Sequence, residues 1–187
     1  MKKRIIELIK EAIEVKNELI KTQLSNIEAL ARMMLATIKS GNKILIFGNG
    51  GSAADSIHIT AELVGRFRKE REALPAIALS ANVSTLTALG NDYGFEAIFE
   101  RQIEALGKEG DMALGISTSG KSKNVIRAIE KASKMNMKTA VLMGKSKGTL
   151  EQMADVSVNV PSNNTPRIQE SHSIIGHIVC EIIEDAL

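Results

Sequence analysis

The sequence has little that stacks, bridges or anchors. Its 187 residues contain no tryptophan, and the aromatics number five: Phe47, Phe67, Tyr93, Phe95 and Phe99. That is few for a surface that stacks successive bases of a single strand. Cys180 is the one cysteine, which excludes an internal disulfide framework and fits a reducing, cytoplasmic setting. No apolar run approaches the roughly 20 residues of a membrane span. With 24 basic against 22 acidic side chains the net charge is only +2, so no strong field points to nucleic acid or an anionic membrane. The basic N-terminus is interrupted by Glu7 and Glu11, unlike a signal peptide. No linker, repeat or low-complexity segment divides the chain.

What is present is a rhythm. Hydrophobic residues make up 44% and charged residues 25%, the balance of a globular domain with a sizeable core. Residues 3–39 carry an amphipathic pattern, with Ile5, Leu8, Ile9, Ala12 and Ile13 at helical spacing. Ser25 followed by Glu28 has the form of a capping box, which predicts that a second helix starts there, and Gly41 marks a stop. This segment carries no chemistry, so packing is its expected role, against the body or another subunit.

From Lys43 short apolar runs recur at 43–47, 75–79, 111–116, 138–143 and 155–160. Helix-like segments separate them at about 52–65, 84–106, 121–135 and 147–153, and a last helix is expected over about 166–186. Near-continuous apolar strands alternating with helices predict a parallel sheet covered on both faces. The run "GRFRKERE" (65–72) reads as a solvated, charged connection. In such sheets ligands bind beyond the carboxyl ends of the strands. The loops to watch are therefore "GNGGS" (48–52), after strand 1, and "STSGKS" (117–122), after strand 3.

The second loop holds Ser117, Thr118, Ser119 and Ser122 at a helix start. Unpaired backbone N–H groups and a positive dipole end make such a place suited to phosphate. One hydroxyl would suffice for an N-cap, and four are present. The lysine and glycine spacing is not that of a Walker A loop. In the first loop Ser52 and Asp55 have a capping pattern, and Ala53 stands where a dinucleotide fingerprint needs its third glycine. Four residues apart, His58 and Glu62 share a helix face, as metal ligands or as an ordinary ion pair; spacing alone does not decide. His172 and His177 lie on the last helix, where a histidine among apolar residues is more often core or interface.

Taken together, "GNGGSAAD" (48–55), "HITAELVGRF" (58–67), "GNDYGFE" (90–96), "GISTSGKS" (115–122) and "RIQESHSIIGH" (167–177) make the chain resemble the sugar-isomerase (SIS) domain family. Within it the match is to the phosphoheptose isomerases, and it covers nearly all of residues 1–187 as a single domain. The resemblance implies a five-stranded parallel sheet of flavodoxin-like order, preceded by a helical N-terminal segment. It implies a homotetramer with active sites at subunit interfaces. The activity implied is conversion of sedoheptulose 7-phosphate to D-glycero-D-manno-heptose 7-phosphate. By position, His58, Glu62, Gln169 and His177 match ligands of a Zn²⁺ ion, one per subunit. Glu62 also matches the catalytic base and His177 the second acid–base residue. Asn49, Gly50, Gly51, Ser52, Glu62, Asn91, Asp92, Ser117, Thr118, Ser119, Ser122 and Gln169 match substrate contacts. Family members that bind the replication initiator without catalysis lack the Glu62–His177 pair that this chain keeps. Sugar-phosphate sensors of the same fold usually carry a DNA-binding domain as well. Gln169 and His177 lie about 12 Å apart along a helix, so they meet at one metal by leaning together or by coming from two subunits.

Overall fold

The computed structural model describes residues 1–145 and 148–187. Five strands, β1 (Ile44–Gly48), β2 (Ala76–Ala78), β3 (Met112–Ser117), β4 (Lys138–Met143) and β5 (Val156–Asn159), form one sheet. Its order is β2-β1-β3-β4-β5, and every pairing is parallel. This is the flavodoxin-like order that the resemblance implied, with its switch point between the adjacent strands β1 and β3.

Among the described residues seven α-helices cover it: α1 (Lys2–Lys39), α2 (Gly51–Val64), α3 (Val83–Tyr93), α4 (Glu100–Leu106), α5 (Lys123–Lys134), α6 (Thr149–Met153) and α7 (Thr165–Asp185). Successive strand residues serve opposite faces. Ile44 and Ile46 join Met112, Leu114 and Leu142 under α1, α2 and α7. Leu45 and Phe47 join Ala113, Val141 and Met143 under α4, α5 and α6. Strands buried on both sides read as unbroken apolar runs for this reason.

Three expectations are corrected. Residues 2–39 are one helix, not two, and Ser25 lies inside it. No glycine or proline interrupts residues 2–40, so the Ser25–Glu28 pattern has no break to cap. The segment 84–106 is broken at Gly94, whose φ of 82° ends α3, before a 3₁₀ turn (Phe95–Ala97) and α4. The run 65–72 is not a loose solvated connection. Its backbone and Arg71 are bonded to Glu184 near the end of α7. The first residue of the helix expected at 147–153 lies outside the described residues; from Thr149 the helix is as expected.

The apolar residues that α1 buries begin at Leu19 and continue with Ile27, Leu30, Ala31, Met34 and Ile38. Nearer its start it meets the beginning of α7 through polar bonds, Arg167 Nη1 to the Leu8 carbonyl at 2.6 Å and Asn164 Nδ2 to Glu11 Oε1 at 2.7 Å. The first half carries a stripe of Ile5, Ile9 and Ile13, each about half exposed, continued by Ile20 and Leu24. Among the described residues no helix is long and apolar enough to cross a membrane.

Candidate active site

The chain leaves β1 through Gly48, Asn49 and Gly50. Gly50, at a φ of 57°, turns it into α2 in a conformation that other residues adopt at a cost. Because Gly50 is the N-cap, Ser52 sits inside the helix and caps nothing, which corrects the capping pattern read from Ser52 and Asp55. Ser52 is buried, packed beneath Gly48, where an added Cβ would come 2.7 Å from its own Cβ. The α5 N-terminus is alike: Ser122 is its N-cap, and its side chain makes no capping bond. Neither helix has an acidic residue in its first turn. At neither N-terminus does the N-cap side chain take up the first-turn N–H groups, although at α5 Asn124 Oδ1 accepts the Val125 N–H at 2.9 Å.

The two loops are joined. The side-chain amides of Asn49 and Asn124 donate to each other's carbonyls at 2.9 Å both ways. Asn124, at the second position of α5, is a residue that sequence reasoning missed, since nothing local marks it. Ser117 and Ser122 hydroxyls lie 3.0 Å apart, and Ser119 Oγ accepts from the Lys121 amide at 3.2 Å. Thr118, Ser119 and Lys121 face a cleft of about 270 Å³ whose far wall includes Lys145 and Thr165. Gln169 lies at this end too: a Cβ on Gly51 would sit 2.3 Å from its Nε2, so only glycine lets the amide lie against the start of α2. Asn91 and Asp92 are exposed on α3 and bonded to each other at 2.8 Å, and nothing here places them at the loops.

A second group forms where α7 crosses α2. His58 Nε2 lies 3.1 Å from Glu62 Oε1 and 3.3 Å from His177 Nε2. The His58 and His177 rings meet edge-on, with centroids 4.9 Å apart. The approach depends on Gly176, since a Cβ there would come 2.8 Å from Ile59 Cγ1 on α2. One ligand atom from each of His58, Glu62 and His177 falls within 4.8 Å of the others. Tetrahedral zinc, with bonds near 2.1 Å, sets its ligand atoms roughly 3.4 Å apart. Two imidazole nitrogens and a carboxylate oxygen at this spacing therefore fit a divalent cation with one position left open. Gln169 lies two turns earlier on α7, against Gly51.

Around the group sit further links. Asp55, one turn before His58, is buried and accepts from Ser173 on α7 at 2.8 Å, while its other oxygen has no partner among the described residues. Burial raises its carboxyl above the usual range, against the opposing Ser173 bond and the nearby His58. Cys180, one turn beyond His177, is buried, and its thiol is pushed up to about 12 by burial and by the charge of Glu62. It stays protonated and is no nucleophile. His172 points the other way, fully buried, with Nε2 3.2 Å from the Met143 carbonyl.

A family described as SIS domain matches residues 7–144. The phosphoheptose isomerase of Aquifex aeolicus (strain VF5) is 50% identical over 185 residues, covering 99% of this chain and 97% of its own length. That of Geobacter metallireducens (strain ATCC 53774 / DSM 7210 / GS-15) is 48% identical over 187 residues, covering 100% and 99%. The solved phosphoheptose isomerase of Neisseria gonorrhoeae is 41% identical, with a TM-score of 0.93 over 98% of each chain. With matches of this identity over nearly its full length, the chain belongs to the SIS-domain family, among its phosphoheptose isomerases.

Proposed function

We propose that this isomerase acts on sedoheptulose 7-phosphate and yields D-glycero-D-manno-heptose 7-phosphate, as a homotetramer in the cytoplasm, with residues 1–187 forming one SIS domain. The observation that carries the reading is the convergence of Glu62, His58 and His177 within hydrogen-bond distance. Two uncapped helix N-termini with the hydroxyls of Ser117, Thr118, Ser119 and Ser122 support a phosphate site. The backbone of Asn49, Gly50 and Gly51 belongs to it, together with Ser52, whose N–H is bonded to the Asn49 carbonyl at 3.0 Å and whose buried hydroxyl packs under the turn. Asn91, Asp92 and Gln169 complete the substrate contacts.

The chemistry follows from the groups. Glu62, as the base, takes a proton from C1 of the open-chain ketose; the C1–H pair becomes the C1=C2 bond, and the C2 carbonyl oxygen takes a proton from His177. His177 then takes the proton of O1 as C1=O forms, and Glu62 returns its proton to C2. Atoms and electrons balance, and the product is the aldose. Glu62 has two oxygens, so one can face the carbon while the other faces His58. A divalent cation, which we take to be Zn²⁺ held by His58, Glu62, His177 and Gln169, would polarise the substrate oxygens when bound. Gln169 lies against Gly51 in this chain, and its place in the ligand set rests on the match of its position to the family. The exposed Ile5–Ile9–Ile13 stripe of α1 supports self-association, because it leaves an apolar face without cover.

The test is to follow sedoheptulose 7-phosphate by NMR with the purified chain, with and without a chelator. Conversion to the aldose, with solvent deuterium entering at C2 and activity lost to the chelator until metal is restored, is expected. No conversion in the metal-supplemented sample overturns the reading.

A further inference from the structure

We propose that Arg71 and Glu184, with Phe67 tied to Glu184 through its backbone N–H, form the positioning element that sets His177 against His58 and Glu62. The inference rests on reading those three residues as one metal-holding, acid–base site. Glu184 lies on α7, seven residues beyond His177, or about 10 Å along the helix. Its side chain is 3% exposed and that of Arg71 10%. The Glu184 carboxylate accepts the backbone N–H groups of Phe67 at 3.1 Å and of Arg68 and Lys69 at 2.8 Å each, and Arg71 Nε at 3.1 Å. Four donors on one carboxylate leave that loop little freedom.

Arg71 spends its remaining donors on the end of α2. Nη2 donates to the Glu62 carbonyl at 2.7 Å, and Nη1 to the carbonyls of Leu63 at 2.9 Å and Gly65 at 3.1 Å. Nη1 also reaches the Glu72 carbonyl at 3.0 Å. The last carbonyls of a helix have no partner within it, and a planar fork of five N–H groups can serve several at once. One guanidinium therefore caps α2 at Glu62 itself, and the carboxylate that neutralises it stands on the helix of His177.

Phe67 completes the link. Its ring lies 5.5 Å from the His177 ring at 35°, on a loop whose amide at this same residue is held by Glu184. The His177 imidazole thus sits between the edge-on His58 ring and Phe67. A buried ion pair is weak grounds for stability, since apolar residues of the same volume often hold a fold as well. An apolar pair, however, could neither cap four carbonyls nor fix three amides. What this pair supplies is the orientation of one imidazole and one carboxylate.

The experiment compares wild type, Phe67→Leu, Phe67→Tyr and Glu184→Gln. Co²⁺ binding to the metal-free protein is followed by visible absorbance, alongside kcat and KM on sedoheptulose 7-phosphate and thermal melting. Phe67→Leu is expected to fold, to weaken Co²⁺ at least fivefold and to lower kcat at least tenfold, with KM changed less than twofold. The conservative Phe67→Tyr keeps the ring and recovers both. Glu184→Gln is expected to lower Co²⁺ affinity and kcat together. A merely structural role would lower the melting temperature and leave Co²⁺ affinity and the KM–kcat split alone. Phe67→Leu with wild-type Co²⁺ affinity and kcat overturns the proposal, whether or not Glu184→Gln folds. Absence of turnover in wild type would instead overturn the proposed function, and the Co²⁺ isotherms would still decide the positioning role.

Discussion

The loops after β1 and β3 and the His58–Glu62–His177 group are built by different means. The loops are backbone devices: a glycine turn at φ 57°, two uncapped helix starts and one reciprocal amide pair between Asn49 and Asn124. Each is set within a few residues of chain. The three-residue group is a side-chain device. It exists only because α7 passes close to α2 at Gly176, and because the ends of these helices are tied through Arg71 and Glu184. A cradle made of backbone tolerates the loss of one hydroxyl. A convergence of three side chains does not tolerate the loss of one.

Substitutions at the convergence should therefore do most. Glu62→Gln keeps the side-chain shape and removes the proton acceptor, so the fold should persist while kcat falls by roughly 10²–10⁴-fold. Steady-state turnover above a tenth of wild type would show that Glu62 is not the base. His177→Asn should both lose turnover and lower bound metal, measured by elemental analysis of the purified protein, with light scattering unchanged from wild type.

Substitutions at the cradle should do less, and should act on a different quantity. Ser119→Ala, and further the double change with Ser122→Ala, removes hydroxyls that would bond a charged oxygen. Each such bond is worth roughly 1.5–3 kcal/mol, or about ten- to a hundredfold in affinity. KM should rise and inorganic phosphate should inhibit more weakly, with kcat nearly kept. If both stay at wild-type values, phosphate does not bind there and the contrast between the two regions collapses.

The same contrast sorts what could be read from the sequence. The strands were legible because burial on both faces makes them continuous apolar runs, and the loops because glycine and hydroxyl residues mark them locally. The His58–Glu62 pair was visible at helical spacing, but its meeting with His177 was not. That meeting needs the α2–α7 contact, whose sign in the sequence is one unremarkable glycine. The resemblance to a family supplied it instead. Local patterns also misled. Ser25–Glu28 has the form of a helix start and lies in the middle of α1. "GRFRKERE" has the composition of a solvated turn, yet Arg71 is nearly buried, because its partner Glu184 is 113 residues away. Distance along the chain, not chemical oddity, hid the meeting of His177 with His58 and the pairing of Arg71 with Glu184.

The smallest effect on turnover is expected at His172, which shares α7 with His177 but faces inward. Five residues on a helix rotate by roughly 500°, turning the two side chains about 140° apart. His172 is fully buried, with Nε2 bonded to the Met143 carbonyl and Nδ1 without a partner among the described residues. A carbonyl can only accept, so Nε2 carries the proton and the ring is neutral. Burial is the main reason its pKa is lowered from 6.5 to about 4, against the opposing Met143 bond. Between those two values the unfolded chain takes up a proton that the folded chain refuses. Stability therefore falls as pH drops through this window and is unaffected by His172 above it. At about 1.4 kcal/mol per pH unit below 6.5, the loss reaches roughly 2 kcal/mol at pH 5. Carboxylates elsewhere also titrate on the acid side, so the informative quantity is the difference between wild type and His172→Asn. Denaturant unfolding at pH 8 should find the variant less stable, through lost packing. That deficit should shrink by roughly 2 kcal/mol at pH 5, because asparagine does not titrate. Bound metal and kcat at pH 8 should match wild type. A deficit that stays constant with pH would show that His172 is not held neutral by burial, and loss of metal in this variant would reassign the ligand on α7 from His177 to His172.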